Sequence, residues 1–406
     1  MRLGSGPVTS RDLQQPVVAG VVTAIVGFTS SFAVVLAGLR AVGASPDEAA
    51  SGLFALTVAF GLLMSGLALW TRLPVTLAWS TPGAALLVST GPVAGGWPAA
   101  VGAFVLTGVL LALTGLVPWL GRLAAAIPVP LAQAMLAGVL LQLCLAPFTA
   151  FAASPWAVGP VIVVWLLGTR WATRWAVPLA LLTALVVIAV SLVDRGTTLE
   201  AASLLPRLEP TAPVLTVASV VGIALPLTVV TLASQNIPGV AVMRSFGYTV
   251  PWRASMVTTG AGTGVAAVFG GHAINLAAIS AALAAGEQAG DRSRRWVAAF
   301  VAGLTALVLA FTSGALVAVT EKAPAGIVET VAGLALLSTF AASIVAALQD
   351  AHGRTSAAVT FLVAASGLQL LGVGAAFWAL VVGLLVRSTI ERPPHEEEPR
   401  GETDEA

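Results

Sequence analysis

Polar side chains are scarce in this chain, and they gather in three places. In LPLTVVTLASQNIPGVAVM, from Leu225 to Met243, Thr228, Thr231 and Gln235 recur at i, i+3 and i+7 between Pro226 and Pro238, and Asn236 follows directly. In VFGGHAINLAAIS, from Val268 to Ser280, Gly270, Gly271, His272 and Asn275 interrupt an apolar run. In LPVTLAWSTPGAALL, from Leu73 to Leu87, Ser80 and Thr81 stand before Pro82 and Gly83. None of the three stretches contains Asp, Glu, Lys or Arg. Their chemistry is therefore hydrogen bonding, helix-end dipoles and one imidazole.

That inventory suits an anion held without a counter-charge. Ser80 and Thr81 are fit to cap a helix with Pro82 in its first turn, where the missing proline N–H costs nothing. Gly270 and Gly271 free the backbone for a turn, and a second short helix is expected to begin near His272. Two such helix starts aim unpaired N–H groups and positive dipole ends into one space. Gln235 and Asn236 can hold a carboxylate without adding negative charge, although interhelical hydrogen bonding is an equal reading for Asn236. His272 is the one histidine inside a hydrophobic stretch, hence a candidate proton carrier, with a neutral hydrogen-bonded imidazole as the alternative. Glu329 is a second proton-coupling candidate, though an acid favoured by a helix N-terminus fits it better. The expected binding set is Ser80, Thr81, Gly83, Thr231, Gln235, Asn236, Gly271, His272 and Asn275.

The elements that position these groups must be membrane helices. Hydrophobic residues make up 58% of 406 and charged residues 9%, outside the range of soluble domains. Continuous hydrophobicity without period-two alternation excludes a barrel. Spans of about 20 residues fall at 15–39, 52–70, 75–90, 97–118, 124–145, 156–170, 176–193, 213–243, 254–268, 271–286, 295–319, 325–348, 355–370 and 373–388. The third of the first seven and the third of the second seven are short and broken by Pro or Gly. Seven is odd, so the two halves insert with opposite topology, and paired broken helices in inverted halves mark a transporter site. The run GAGTG, Gly260 to Gly264, reads as close helix packing.

With the N-terminus cytoplasmic, fifteen of the 19 Lys and Arg residues fall inside, leaving Arg40, Arg195, Arg207 and Lys322 outside. Both termini are then expected in the cytoplasm. The first apolar run is too long for a cleavable signal. Cys144 reads as core packing. From Glu391 on, ERPPHEEEPRGETDEA has nothing to bury and reads as a disordered tail. Scattered arginines form no nucleic-acid stripe. With one cysteine, three scattered histidines and no acid pair in the spans, neither a metal, a cofactor nor an enzyme's machinery is expected. An anion channel would need a continuous polar pore, whereas these polar groups cluster at one depth.

SQNIPGVAVMRSFGY (Ser234 to Tyr248), FGGHAINLAAISAAL (Phe269 to Leu283) and HGRTSAAVTFLVAASGLQLLGVGAAFWALVVGLL (His352 to Leu385) resemble the bacterial benzoate/proton symporters. These belong to a wider group of seven-plus-seven inverted-repeat carriers that includes nucleobase and sulfate-type transporters. The resemblance implies a core domain from 15–122 and 213–320, a gate domain from 123–212 and 321–390, and cytoplasmic ends at 1–14 and 391–406. It implies uptake of benzoate or a similar aromatic carboxylate with a proton across the bacterial inner membrane, by alternating access. Nucleobase carriers place glutamates on segments eight and ten, where this chain has Ser234-Gln235-Asn236 and His272-Ala273-Ile274-Asn275. Losing both acids disfavours a nucleobase and suits an anion. At His272 the benzoate symporters often carry an aromatic. Exchange of another small organic anion uses the same site, and a homo-oligomer is compatible with the chain.

Overall fold

The computed structural model describes residues 10–117, 119–120, 122, 127–200, 204–370 and 372–391. The tail reading from 392 on and the 122/123 domain boundary lie outside the described residues. Helices dominate because lipid offers no partner to a backbone N–H or C=O, and a helix pairs its own. Eight helical stretches among the described residues are long and apolar enough to cross a membrane.

In chain order the helices are α1 (Ser10–Thr29), α2 (Phe32–Ala41), α3 (Pro46–Thr71), α4 (Thr81–Thr90), α5 (Gly96–Leu116), α6 (Val129–Ala153), α7 (Pro155–Trp171) and α8 (Ala176–Asp194). After them come α9 (Val217–Ser245), α10 (Trp252–Ala267), α11 (Ala278–Ala285), α12 (Trp296–Ala310), α13 (Ser313–Glu321), α14 (Ile327–Leu348), α15 (Arg354–Ala365) and α16 (Ala375–Thr389). Each expected span falls on one of these, with three refinements. The first and eleventh are broken, at Ser30–Ser31 and at Phe311–Thr312. The fifth runs on to Ala153 through Pro147. The third and tenth each open with a three-residue strand, β1 (Leu77–Trp79) and β2 (Ile274–Leu276).

Two packing groups are evident. In one, α3 packs on α12, α1 on α12 and α5 on α10; in the other, α6 packs on α14 and α15, and α7 on α8. The α5–α10 contact uses Gly108 against Gly260 and Gly264: a Cβ at Gly108 would meet the Gly264 nitrogen at 2.6 Å and the Gly260 oxygen at 2.7 Å. The GAGTG run is thus a close backbone seam, as expected. The groups meet where α2 lies on α14 and α4 lies on α6.

Candidate anion site

β1 and β2 pair antiparallel, Leu77 with Leu276, Ala78 with Asn275 and Trp79 with Ile274. Two more bonds extend the ladder: Ser80 N–H to the Ala273 carbonyl at 2.8 Å and Ala277 N–H to the Thr76 carbonyl at 3.0 Å. Backbone broken out of a helix inside lipid must find partners, and here each broken segment supplies them to the other. The outward-facing N–H groups are satisfied by side chains. Thr263 Oγ1 accepts from Ile274 at 2.9 Å, Asn236 Oδ1 from Leu276 at 2.7 Å, and Met64 Sδ from Leu77 at 3.3 Å. Trp79 anchors β1 by donating Nε1–H to Ser31 Oγ at 2.7 Å, in the α1–α2 break, with Phe60 edge-on at 5.6 Å.

Helices α4 and α11 leave the ladder in opposite directions, so their N-termini flank it. Their capping residues, Ser80 and Ala277, are four ladder positions apart, about 13 Å at 3.3 Å per residue. The second helix starts later than expected: Gly270 makes the turn at φ +89°, but Ala278 opens the helix. His272 therefore precedes the strand and is not a helix-start residue. The reason is the pairing itself, which holds 273–277 extended.

Ser80 caps α4 by accepting from Gly83 N–H at 3.1 Å, and its Oγ also accepts from Thr231 Oγ1 at 2.9 Å. Both lone pairs are used, which leaves the Ser80 proton free to donate. Gly83 has no room for a side chain, since an added Cβ would run into Leu227 and Ser80. Thr81 is half-buried beside it. Asn275 is fully buried. With its amide oriented to suit its neighbours, it accepts from Ser80 N–H at 3.2 Å and donates to the Leu276 carbonyl at 3.1 Å.

Helix α9 forms the third wall, with a difference from the regular face expected. Two wide π-turns, Val220–Ala224 and Leu232–Asn236, each end just before a proline-bearing turn, where the missing proline N–H disrupts regular bonding. The second turns Asn236 inward, fully buried, while Gln235 stays half-exposed. The Nδ2 of Asn236 is buried without a hydrogen-bond partner among the described residues. Thr228 bonds back to the Ala224 carbonyl at 2.7 Å, an ordinary helix contact.

His272 is fully buried, edge-on to Phe104 of α5 at 6.4 Å, with neither ring nitrogen partnered among the described residues. Gly271 is packed between Leu56 and Ala266. Glu329 is apart from the ladder: it stands in the first turn of α14, where its charge acts on Arg40 of α2, which also lies 3.8 Å from Glu321. The structure thus gathers Ser80, Gly83, Thr231, Asn236 and Asn275, with Thr81 and Gln235 at the edge. Two contributors escaped the sequence reading. Thr263 lay hidden in a run read as packing, and Thr76, whose Oγ1 donates to the Ala277 carbonyl at 3.2 Å, carries no local signal.

No group of three or more His, Cys, Asp or Glu side chains able to hold a metal occurs among the described residues. Two opposed short helices on a strand pair define a membrane carrier of the seven-plus-seven inverted-repeat build. The transmembrane domain of a cyanobacterial bicarbonate transporter, BicA, shares the fold at TM-score 0.59 and 16% identity, covering 93% of this chain and 98% of that one. The murine anion transporter Slc26a9, in an inward-facing state, does so at TM-score 0.59 and 15% identity, covering 95% and 68%. The profile of the family described as benzoate membrane transport protein matches residues 12–389, and the chain belongs to that family. Its relatives include an inner membrane protein, YdcO, of Escherichia coli K12, 37% identical over 90% of this chain and 93% of that protein. A benzoate membrane transport protein of Acinetobacter baylyi is 28% identical over 93% and 95%.

Proposed function

We propose that this protein imports benzoate or a closely similar aromatic carboxylate together with a proton, by alternating access. The observation that carries the site is the pairing of 76–80 with 273–277, which sets two helix starts on either side of one small polar patch. On this reading the carboxylate lies against the α11 N–H groups and the Asn236 amide, and the ring reaches along the ladder toward the Ser80 hydroxyl, with Gln235 and Thr81 at the open edge. Neutral donors bind an anion and release it again, whereas a buried lysine or arginine would hold it too firmly for turnover.

Proton coupling follows from charge. Moving one negative charge inward against an inside-negative potential costs about 2.3 kcal/mol per 100 mV. One proton carried with it cancels that cost, and the pH gradient then drives accumulation. The candidate carriers are His272 and the substrate's own carboxylate; the place of Glu329 in the first turn of α14, away from the strand pair, argues against Glu329. The core (15–122 and 213–320) would move against the gate (123–212 and 321–390), with both termini cytoplasmic.

The test is uptake of labelled benzoate into proteoliposomes under an imposed pH gradient. Accumulation with the inside alkaline, lost on adding a protonophore, is the expected result; no gradient-driven uptake contradicts the reading. His272→Gln separates the carriers, since unchanged pH dependence assigns the proton to the substrate and its loss assigns it to the histidine.

A further inference from the structure

A cleft of about 440 Å³, lined by no residue of the strand pair, lies between α1, α11 and the short turn Thr173–Trp175 that joins α7 to α8. One wall is apolar, formed by Val18 and Val22, which are one helical turn apart on α1, and Leu283 of α11. The rim is polar, with Gln14, Gln15, Gln288 and the exposed Arg174. Arg174 has no hydrogen bond or ion pair among the described residues. The nearest acid in sequence to the rim, Glu287, is exposed beside Gln288. Leu283 is five residues along α11 from its first residue, about 7.5 Å at 1.5 Å per residue. The cleft therefore lies a turn and a half from the candidate anion site, along the helix that helps to form it.

An apolar wall facing a guanidinium unpaired among the described residues and three amides, Gln14, Gln15 and Gln288, matches a small flat molecule with a ring at one end and a carboxylate at the other. Arginine presents a planar fork to a carboxylate and stays charged at every relevant pH. Its turn belongs to the segment between α7 and α8, whereas α1 and α11 belong to the opposite packing group, so the cleft changes shape whenever the two groups move.

We propose that this cleft is a second, transient site for the aromatic carboxylate on the cytoplasmic side, with Arg174 and the rim glutamines holding the carboxylate and Val18, Val22 and Leu283 the ring. It rests on the transport reading above. At an exposed site a single charge contributes little, so the effect is modest and confined to one face of the membrane.

The experiment uses right-side-out and inside-out membrane vesicles carrying wild type, Arg174→Gln or Arg174→Lys, with labelled benzoate supplied over a concentration series from each side. Arg174→Gln should raise the half-saturation concentration from the cytoplasmic face three- to tenfold and leave the outer value unchanged. Arg174→Lys should fall between, since it keeps charge but loses the fork. If wild type moves no benzoate from either face, the transport reading fails and this site falls with it. If wild type transports and Arg174→Gln leaves the cytoplasmic half-saturation unchanged, this site alone is wrong. A shift equal on both faces, or one that vanishes in proteoliposomes lacking anionic lipid, assigns Arg174 to a lipid headgroup and overturns the proposal.

Discussion

The two helix starts beside the strand pair are built differently. At α4 the local sequence makes the cap, with Ser80 accepting from Gly83 and Pro82 in the first turn, and Thr231 reaches across from α9 to support it. At α11 the capping position is Ala277, which offers no side-chain bond, and the first turn has no acidic residue. One end has its Gly83 amide engaged and presents a hydroxyl, and at the other no side chain among the described residues caps the first-turn amides. A helix N-terminus without a cap is destabilised by about 1 kcal/mol, and α11 is eight residues long. On the transport reading the two ends then do different work: α4 is the supporting wall, and α11 is the end whose N–H groups would meet the carboxylate.

The sharpest way to break that asymmetry is to fill the bare end. Ala277→Asp should cap α11 internally and abolish benzoate uptake, by a hundredfold or more, because it both occupies the donors and repels the anion. The thermal midpoint should not fall, and uptake above a tenth of wild type would contradict the assignment. Thr263→Val removes the partner of Ile274 N–H, stranding a buried donor at a cost of about 1–3 kcal/mol. The strand pair should loosen, visible as faster hydrogen exchange at 273–277, with uptake reduced about tenfold. At the other end, Thr231→Val removes only the support for Ser80. A neutral hydrogen bond contributes about 0.5–1.5 kcal/mol, so half-saturation should rise two- to tenfold without loss of stability; a larger effect would mean that Thr231 touches substrate.

The smallest effect is expected far from either end. Glu391 sits against the start of α15, accepting from Ser356 N–H at 2.9 Å and Ser356 Oγ at 2.6 Å. Burial pushes its carboxyl upward, but these bonds and the nearby Arg387 outweigh that and hold it below the usual carboxylate range. A lowered carboxylate adds stability above its unfolded value and loses it as pH falls through the folded one. Glu391→Gln should therefore lower the thermal midpoint slightly at neutral pH, have no effect in acid, and leave transport unchanged.

The same contrast explains what the sequence made legible. The start of α4 was readable because capping is local: Ser80, Pro82 and Gly83 are three residues apart at most. The start of α11 was misplaced by six residues, at His272, because nothing in Ala273-Ile274-Asn275-Leu276-Ala277 marks a strand; its partner lies about 200 residues away in sequence. Asn236 was weighed equally between glue and function, and the structure gives it both kinds of atom: an Oδ1 engaged by Leu276 and an Nδ2 left unpaired. The one-face spacing of Thr228, Thr231 and Gln235 assumed a regular helix, which the π-turn at Leu232–Asn236 denies. The long spans were the most legible, because lipid sets a minimum length and an apolar composition for a crossing helix, and eight helical stretches among the described residues meet both.

Asn236→Asp offers the most direct test of an anion held by neutral donors. Aspartate can keep the Oδ1 bond to Leu276 N–H and differs in the unpaired atom, where a donor becomes a negative oxygen. Saturable binding of labelled benzoate to the purified protein should be present in wild type and undetectable in the variant at neutral pH, with hydrogen exchange of the strand pair unaltered. Equal affinity in the two proteins would contradict the claim that benzoate sits between these helix ends.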